Sequence, residues 1–334
     1  MTASLAVTAT LARLLVGYGS RKRGPIASVS ERRIPGTWGP HPSILYEPNT
    51  APRGTLVLVH GVTARASDDP SLVHLARCLA SLGYRCLTPS LPGLARFRHC
   101  PGDVELVVGA IREASELAGA GVGIMGFSYG ASYALCAIAD AQCRHRCRHM
   151  VGFGAYYLLQ EALEHQRQLL IANPDPARDS ADLAYLRYTL LVSQRDELAL
   201  PQQVWDAIDS VMETFTSEGP IATKLRPLLT HARHIDYVDL MERYKQRDLP
   251  PRLSPAGVLG GVRCSVGLLH DPGDRFVPST HVERIREELA QHPSGPPVYT
   301  LTTAMLSHVQ VAPLRKVVDL PRLLQVVGPL LAEH

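Results

Sequence analysis

From residue 53 onward the chain alternates short, nearly continuous apolar runs with longer segments whose apolar positions recur at helical spacing. GTLVLVHG, rich in Val and Leu, reads as a buried strand. SLVHLARCLASLG reads as the helix after it, stopped at Gly83, and YRCLTPSLPG as the next strand, ended by Pro92 and Gly93. DVELVVGAIREASELA predicts a helix with Asp103 near its start. GVGIMGFS predicts a strand, YGASYALCAIAD a helix that follows at once, and HMVGFGAYY a further strand. Apolar strands separated by helices of this length predict an α/β protein with a mostly parallel sheet covered by helices.

The rhythm breaks after Tyr157. Segments such as LLQEALEHQRQLLIA, VWDAIDSVMETF and HIDYVDLMERYKQR are helical in pattern and punctuated by proline, with no strand of core quality among them. It resumes with CSVGLLHD as a strand, STHVERIREELAQH as a helix, PVYTLTTA as a strand and LPRLLQVVGPLL as a helix. The expected organisation is an N-terminal helical extension (1–34), a first core part (35–157), a helical cap or lid insertion (158–259) and a second core part (260–334). SILYEP is expected to supply an early strand on an antiparallel edge. The apolar insertion residues Leu169, Leu170, Leu190, Leu191, Trp205, Ile208 and Val211 are expected mainly as the insertion's own core, with a few available to line a pocket.

Composition narrows the class. Of 334 residues, 46% are hydrophobic and 19% charged, an ordinary globular balance. Such a chain can build a core without disulfides or metals. A net charge of +3 from 34 basic and 31 acidic residues points to no nucleic-acid partner. Seven cysteines without framework spacing point to a reducing compartment, hence a cytoplasmic location. CRHRCRH (143–149) lacks zinc-knuckle spacing and carries three arginines that would repel a cation, so it is expected as an exposed basic loop and no metal site is assigned.

The N-terminal stretch lacks a basic n-region, is interrupted by Arg13 and offers no clear cleavage site, which argues against a signal peptide. It is too short and polar to span a membrane. Leu11, Leu14, Leu15 and Tyr18 recur at helical spacing, so a helix packed on the body or lid is expected. A membrane-surface helix with RKR (21–23) facing lipid phosphates is the alternative.

The candidate chemistry starts at IMGFSYGASYA (124–134). Gly121, Gly123 and Gly126 fit G-x-G-x-x-G, but these glycines lie within the strand, and no acidic residue ends the following strand at the distance a dinucleotide site requires. Gly126-Phe127-Ser128-Tyr129-Gly130 instead sits at a strand-to-helix junction, where a sharp, strained turn lifts a serine hydroxyl clear of the sheet and crowding demands small residues on both sides. Ser128 is therefore the candidate nucleophile, with Gly126 and Gly130 as supporting residues. A serine nucleophile needs a base and an orienting acid. Two acids compete after CSVGLLH, Asp271 and Asp274. Asp274 is favoured, since it opens D-x-x-V-P just past the strand end, while Asp271 suits a turn cap. His308 follows the last strand and is the candidate base. His281 falls inside a predicted helix and is expected at the surface, and His270 ends a strand and is expected to be structural. The oxyanion donors are expected to be the backbone N–H groups of Tyr129 and Val62, the latter on a loop turned by Gly61. Thr63 is a possible helper, and His60 is expected to shape the loop. Asp68 and Asp69 are expected as a solvated helix cap.

Together HGV (60–62), GFSYG (126–130), DRFVP (274–278) and SHV (307–309), in the order Ser…Asp…His on alternating β/α text, resemble the α/β-hydrolase superfamily. The resemblance covers roughly residues 43–157 and 260–333. It implies an eight-stranded, mostly parallel sheet, a helical cap over the site and no cofactor. One departure is visible: where many members carry D-x-P-G-x-G, this chain reads PSLPGLARF, with Ser90 for the aspartate and Ala95 for the last glycine. The reaction this implies is ester hydrolysis of a small-molecule ester or acyl substrate through an acyl-enzyme on Ser128. A thioesterase, lactonase, amidase or acyltransferase using the same triad, or a non-catalytic binding protein of the same fold, are the alternatives.

Overall fold

The computed structural model describes residues 5–332 apart from 20–23, 37–38, 215–223, 226–227, 229, 248, 292–294, 304–305, 308–309 and 312–319. Its organising element is a sheet of eight strands: β1 (Ser28–Gly36), β2 (Gly39–Glu47), β3 (Gly54–Val59), β4 (Tyr84–Pro89), β5 (Val122–Phe127), β6 (Cys147–Phe153), β7 (Ser265–His270) and β8 (Val298–Thr302). They lie in the order β1-β2-β4-β3-β5-β6-β7-β8. The pairs β1–β2 and β2–β4 are antiparallel, and all others are parallel. The eight-stranded, mostly parallel sheet expected from the resemblance is therefore present, with SILYEP in β2 on its antiparallel side. β1 begins at Ser28, inside the stretch assigned to a helical extension. Its residues alternate weakly and are almost all exposed, so no apolar periodicity marks it.

Helices cover both faces of the sheet. On one side lie α1 (Leu5–Gly19), α2 (Pro70–Ser81) and α11 (Leu320–Leu331), sharing a core that joins Leu11, Leu14, Leu79, Val326 and Leu330 to Leu56 and Leu58 of β3. The stripe of α1 thus docks on the body, and Gly328 leaves room for Val7. Among the described residues no helix is long and apolar enough to cross a membrane; RKR (21–23) lies outside them. On the other side lie α4 (Pro101–Ala118), α5 (Tyr129–Ala139) and α10 (Thr280–Ala290), packed on Val57, Ile124 and Met150. The short α3 (Pro92–Ala95) follows β4.

Between β6 and β7 the described residues include α6 (Leu159–Ala172), α7 (Ala181–Ser193), α8 (Gln202–Thr214) and α9 (Tyr237–Gln246). Helix α9 packs on both α6 and α7. Leu170, Leu190, Leu191, Ile208 and Val211 are buried in a core continuous with that of α4 and α5, whereas Leu169 and Trp205 are only partly covered. A buried ion pair ties α7 to the preceding loop: Arg187 reaches Asp179 at 2.7 Å, with side-chain exposures of 2% and 0%, and lies 4.6 Å over the ring of Tyr237.

CRHRCRH is not the exposed loop its charge suggests. Arg144 and His145 are exposed, but Cys143, Cys147 and His149 are buried. Cys147 opens β6, and His149 bonds the hydroxyl of Ser265 at 2.6 Å and the carbonyl of Val326 at 2.8 Å. Apolar strand neighbours override the local charge. Among the described residues no group of three His, Cys, Asp or Glu side chains is arranged to hold a metal ion.

Candidate active site

Strand β5 ends at Phe127 and α5 begins at Tyr129, so Ser128 alone makes the turn. It does so at φ 51°, ψ −128°, one of three non-glycine residues with positive φ among the described residues. Such a conformation costs on the order of 1–3 kcal/mol and persists only where its surroundings impose it. Those surroundings are visible. The Ser128 N–H donates to the Phe153 carbonyl at 2.6 Å, and the Ser128 carbonyl accepts from the Ala131 N–H at 2.9 Å. Crowding admits no side chain on either flank: a Cβ at Gly126 would sit 2.6 Å from the Cα of Ala131, and one at Gly130 2.0 Å from the carbonyl oxygen of His60. The hydroxyl does not cap α5, and the residue is 8% exposed.

The loop after β3 passes directly over this turn. A Cβ at Gly61 would be 2.9 Å from the Phe127 carbonyl oxygen and 3.1 Å from the Ser128 Cβ. Gly61 is therefore required by this close approach rather than by a tight turn of its own. His60 holds the loop: its Nε2 accepts from the Leu91 N–H at 3.0 Å, which leaves the proton on Nδ1 to donate to the Gly61 carbonyl at 2.7 Å. Burial pushes this imidazole down to about 4, so it is neutral and structural. The Gly61 carbonyl and the Val62 N–H share one planar trans peptide and point in opposite directions. Fixing the oxygen thus aims the N–H. Among the described residues neither the Val62 nor the Tyr129 N–H has an acceptor. The Thr63 hydroxyl is turned away from helper duty and donates to Asp69 at 3.2 Å. Asp69, whose carboxylate also accepts from the Ser71 and Leu72 N–H groups, caps α2 as expected.

Both acids lie just past β7. Asp271 accepts from the Gly273 N–H at 2.9 Å and so closes a turn. Asp274 has its side chain 5% exposed; its Oδ1 accepts from the N–H groups of Phe276 (2.8 Å) and Val277 (3.1 Å). Gly154, at φ 64°, separates it from the elbow: a Cβ there would lie 3.4 Å from Asp274 Oδ2 and 4.0 Å from the Ser128 Cα. Gly154 thus stands between Asp274 and Ser128, while the Asp271 carboxylate is taken up by its own turn. His270 donates from Nε2 to the Val277 carbonyl at 2.9 Å and stands 4.0 Å from Asp274, a structural role. His308 lies outside the described residues. On either side of it Leu306–Ser307 and Gln310–Val311 (β9 and β10) pair antiparallel, Ser307 opposite Gln310. His281 is not at the surface as expected. It is 3% exposed, its Nδ1 accepts from the Tyr157 N–H at 3.0 Å, and burial lowers it to about 4.

Two contacts from the inserted helices reach the site. The Tyr185 hydroxyl of α7 donates to the Val62 carbonyl at 3.0 Å. Gln166 of α6, 4% exposed, donates from Nε2 to the Tyr129 hydroxyl at 2.7 Å and to the Phe276 carbonyl at 3.2 Å. Burial carries the Tyr129 phenol far above its usual range, so it stays protonated. Asp103, placed near a helix start by the sequence, is fully buried at the start of α4 and accepts from the Gly93 and Leu94 N–H groups at 3.1 and 2.8 Å. A signal existed for Gln166 alone: it falls on the stripe Leu159, Ala162, Leu163, Leu170 that α6 buries, a polar residue at an apolar position.

The alpha/beta hydrolase family profile matches residues 56–319. No curated protein matches the sequence significantly. Among solved structures the chain is similar to a hyperthermophilic esterase from Pyrobaculum calidifontis (14% identity, TM-score 0.55, 98% of this chain and 92% of that one). It is also similar to an acylaminoacyl peptidase from Pyrococcus horikoshii (13%, 0.54, 96% and 44%). A puromycin-hydrolyzing peptidase from Mycobacterium tuberculosis (17%, 0.50, 90% and 39%) shares the fold as well. The chain spans less than half the length of either peptidase. At such identities the likeness is one of fold.

Proposed function

Because this chain belongs to the alpha/beta hydrolase family, we propose that it is a serine hydrolase that cleaves a carboxylic ester through an acyl-enzyme on Ser128. The observation that carries the reading is the elbow itself. A serine is held at φ 51° between two glycines that cannot be anything larger, with the Asp274 carboxylate across Gly154 and two unengaged N–H groups beside it. Backbone strain of this kind clusters at active sites.

In the proposed cycle His308 accepts the Ser128 proton as the hydroxyl attacks the ester carbonyl. Asp274 fixes the imidazole tautomer and stabilises the imidazolium. The N–H groups of Val62 and Tyr129 bind the developing oxyanion, each such donor contributing roughly 3–4 kcal/mol to the transition state. His308 then protonates the leaving alcohol, and water, activated by the same base, releases the acid. No step draws on a cofactor. The role of His308 rests on its place after β8, downstream of Asp274.

The test is hydrolysis of p-nitrophenyl esters of graded chain length alongside labelling by a fluorophosphonate. The protein is expected to release p-nitrophenol and to be labelled at Ser128, and Ser128→Ala to lose both, with a rate loss of at least about 10³-fold. Turnover unchanged in Ser128→Ala would refute the assignment. A thioester, a lactone or an anilide turned over faster than every ester would move the reading to the corresponding hydrolase, and preferred transfer to an added alcohol would move it to an acyltransferase.

A further inference from the structure

The side-chain amide of Gln166 stands where three parts of the molecule meet. It comes from α6, in the chain between β6 and β7. One of its N–H bonds points to the hydroxyl of Tyr129, the residue after the elbow serine, and the other to the carbonyl of Phe276 in the loop that carries Asp274. A carbonyl oxygen only accepts, so the amide nitrogen must face Phe276. The Phe276 carbonyl and the Val277 N–H belong to the same planar peptide. That N–H is one of the two that hold Asp274 Oδ1. The 276–277 peptide is thus gripped at its oxygen by Gln166 and itself grips the acid with its nitrogen. An amide whose carbonyl accepts a hydrogen bond is polarised and donates more strongly from its N–H. The ring of Tyr129, at the other end of the Gln166 amide, is stacked on His99 at 5.0 Å and set edge-on to Tyr156 at 5.0 Å. Pinning its hydroxyl completes the fixing of the residue whose backbone N–H faces the site.

We propose that Gln166 is a positioning residue of the active site, which couples α6 to both the acid Asp274 and the Tyr129 N–H through the 276–277 peptide and the Tyr129 phenol. This rests on the serine-hydrolase reading for its catalytic consequence, but the coupling itself is a property of the fold and is measurable without turnover. A glutamine only 4% exposed among apolar neighbours of α6 satisfies packing no better than Met or Leu would. At this apolar stripe position the two hydrogens of its amide find two acceptors in the site.

The test compares Gln166→Met, which keeps length and bulk and removes both donors, and Gln166→Glu, which keeps length but replaces the amide nitrogen with a carboxyl oxygen. Two readouts apply: p-nitrophenyl ester kinetics and the backbone amide proton resonance of Val277. In both variants kcat is expected to fall roughly 10- to 100-fold with KM nearly unchanged, the signature of a misplaced catalytic group. The Val277 resonance is expected to move upfield as its peptide loses polarisation. If either variant fails to fold, the other supplies both readouts. Wild-type kcat together with an unmoved Val277 resonance overturns the proposal. So does a rise in KM at constant kcat, which would make Gln166 a substrate contact. Should Ser128→Ala keep full turnover, the function reading fails, and the Val277 resonance still decides whether Gln166 holds the acid loop.

Discussion

At Gly130 one methyl group would stand 2.0 Å from the carbonyl oxygen of His60, an approach that no side-chain rotation relieves, because both partners are backbone. Gly130→Ala must push α5 and the loop over the elbow apart. Overpacking of this kind costs about 1–3 kcal/mol or more, so the variant is expected to show a lower urea midpoint and loss of fluorophosphonate labelling at Ser128. A stable, fully labelled variant would show the contact to be soft. The glycine was readable in advance, since G-x-S-x-G at a strand end has a steric meaning. The object it avoids was not: His60 lies in the chain some way before the elbow and meets it only when β3 pairs with β5. His281 shows the reverse case. It falls in a polar helical stretch that gives no hint of burial, and its partner, the Tyr157 N–H, comes from the end of a different strand connection.

The helices between β6 and β7 are held by features that a helical pattern does not display. Arg187 on α7 and Asp179 before it form an ion pair with almost no solvent exposure, and Arg187 also donates to the Asn173 carbonyl. Removing one partner leaves a buried charge uncompensated, which costs about 3–5 kcal/mol. Asp179→Ala is expected to raise hydrogen exchange across α7 by a large factor while leaving the amides of β5 and β6 protected. Uniform exchange across both regions would show that these helices and the sheet unfold as one unit. Core strands were plain from their Val- and Leu-rich runs, because a strand covered on both faces has to be apolar throughout. β1 was not, since it is an edge strand with exposed side chains and its backbone pairing with β2 carries no side-chain signature.

Across the whole molecule, three buried histidines serve as neutral polar links. His60 ties two loops, His149 ties β6 to β7 and α11, and His281 ties α10 to the segment that follows β6. Each is lowered to about 4 by burial. In the unfolded chain they take up protons near pH 6.5. Above that pH both states are neutral and the folded state keeps its full stability. As pH falls from about 6.5 towards 4, the unfolded state gains protons first and stability drops. Buried Asp103, raised to about 6, works in the opposite sense, favouring the fold as pH falls from 6 towards 3.8. Burial also lowers His99 to about 3 and raises Asp179, so with four histidines against two aspartates the urea midpoint is expected to decline between pH 6.5 and 4. A midpoint that rises over this interval would show that the histidines are not held neutral.

The order of the core elements from residue 53 onward, the class of the sheet and the glycine-flanked elbow were all determined by the sequence itself. Each follows from local rules: apolar period, turn chemistry, and the steric demand of a strand-to-helix corner. Tertiary structure alone decided which atoms those elements bring together. It set the His60 carbonyl against Gly130, put Gly154 between Asp274 and Ser128, placed Tyr185 on the Val62 carbonyl and directed Gln166 to the acid loop. Such contacts join residues far apart in the chain, and a side chain's partner across that distance is set by packing, which no local pattern records.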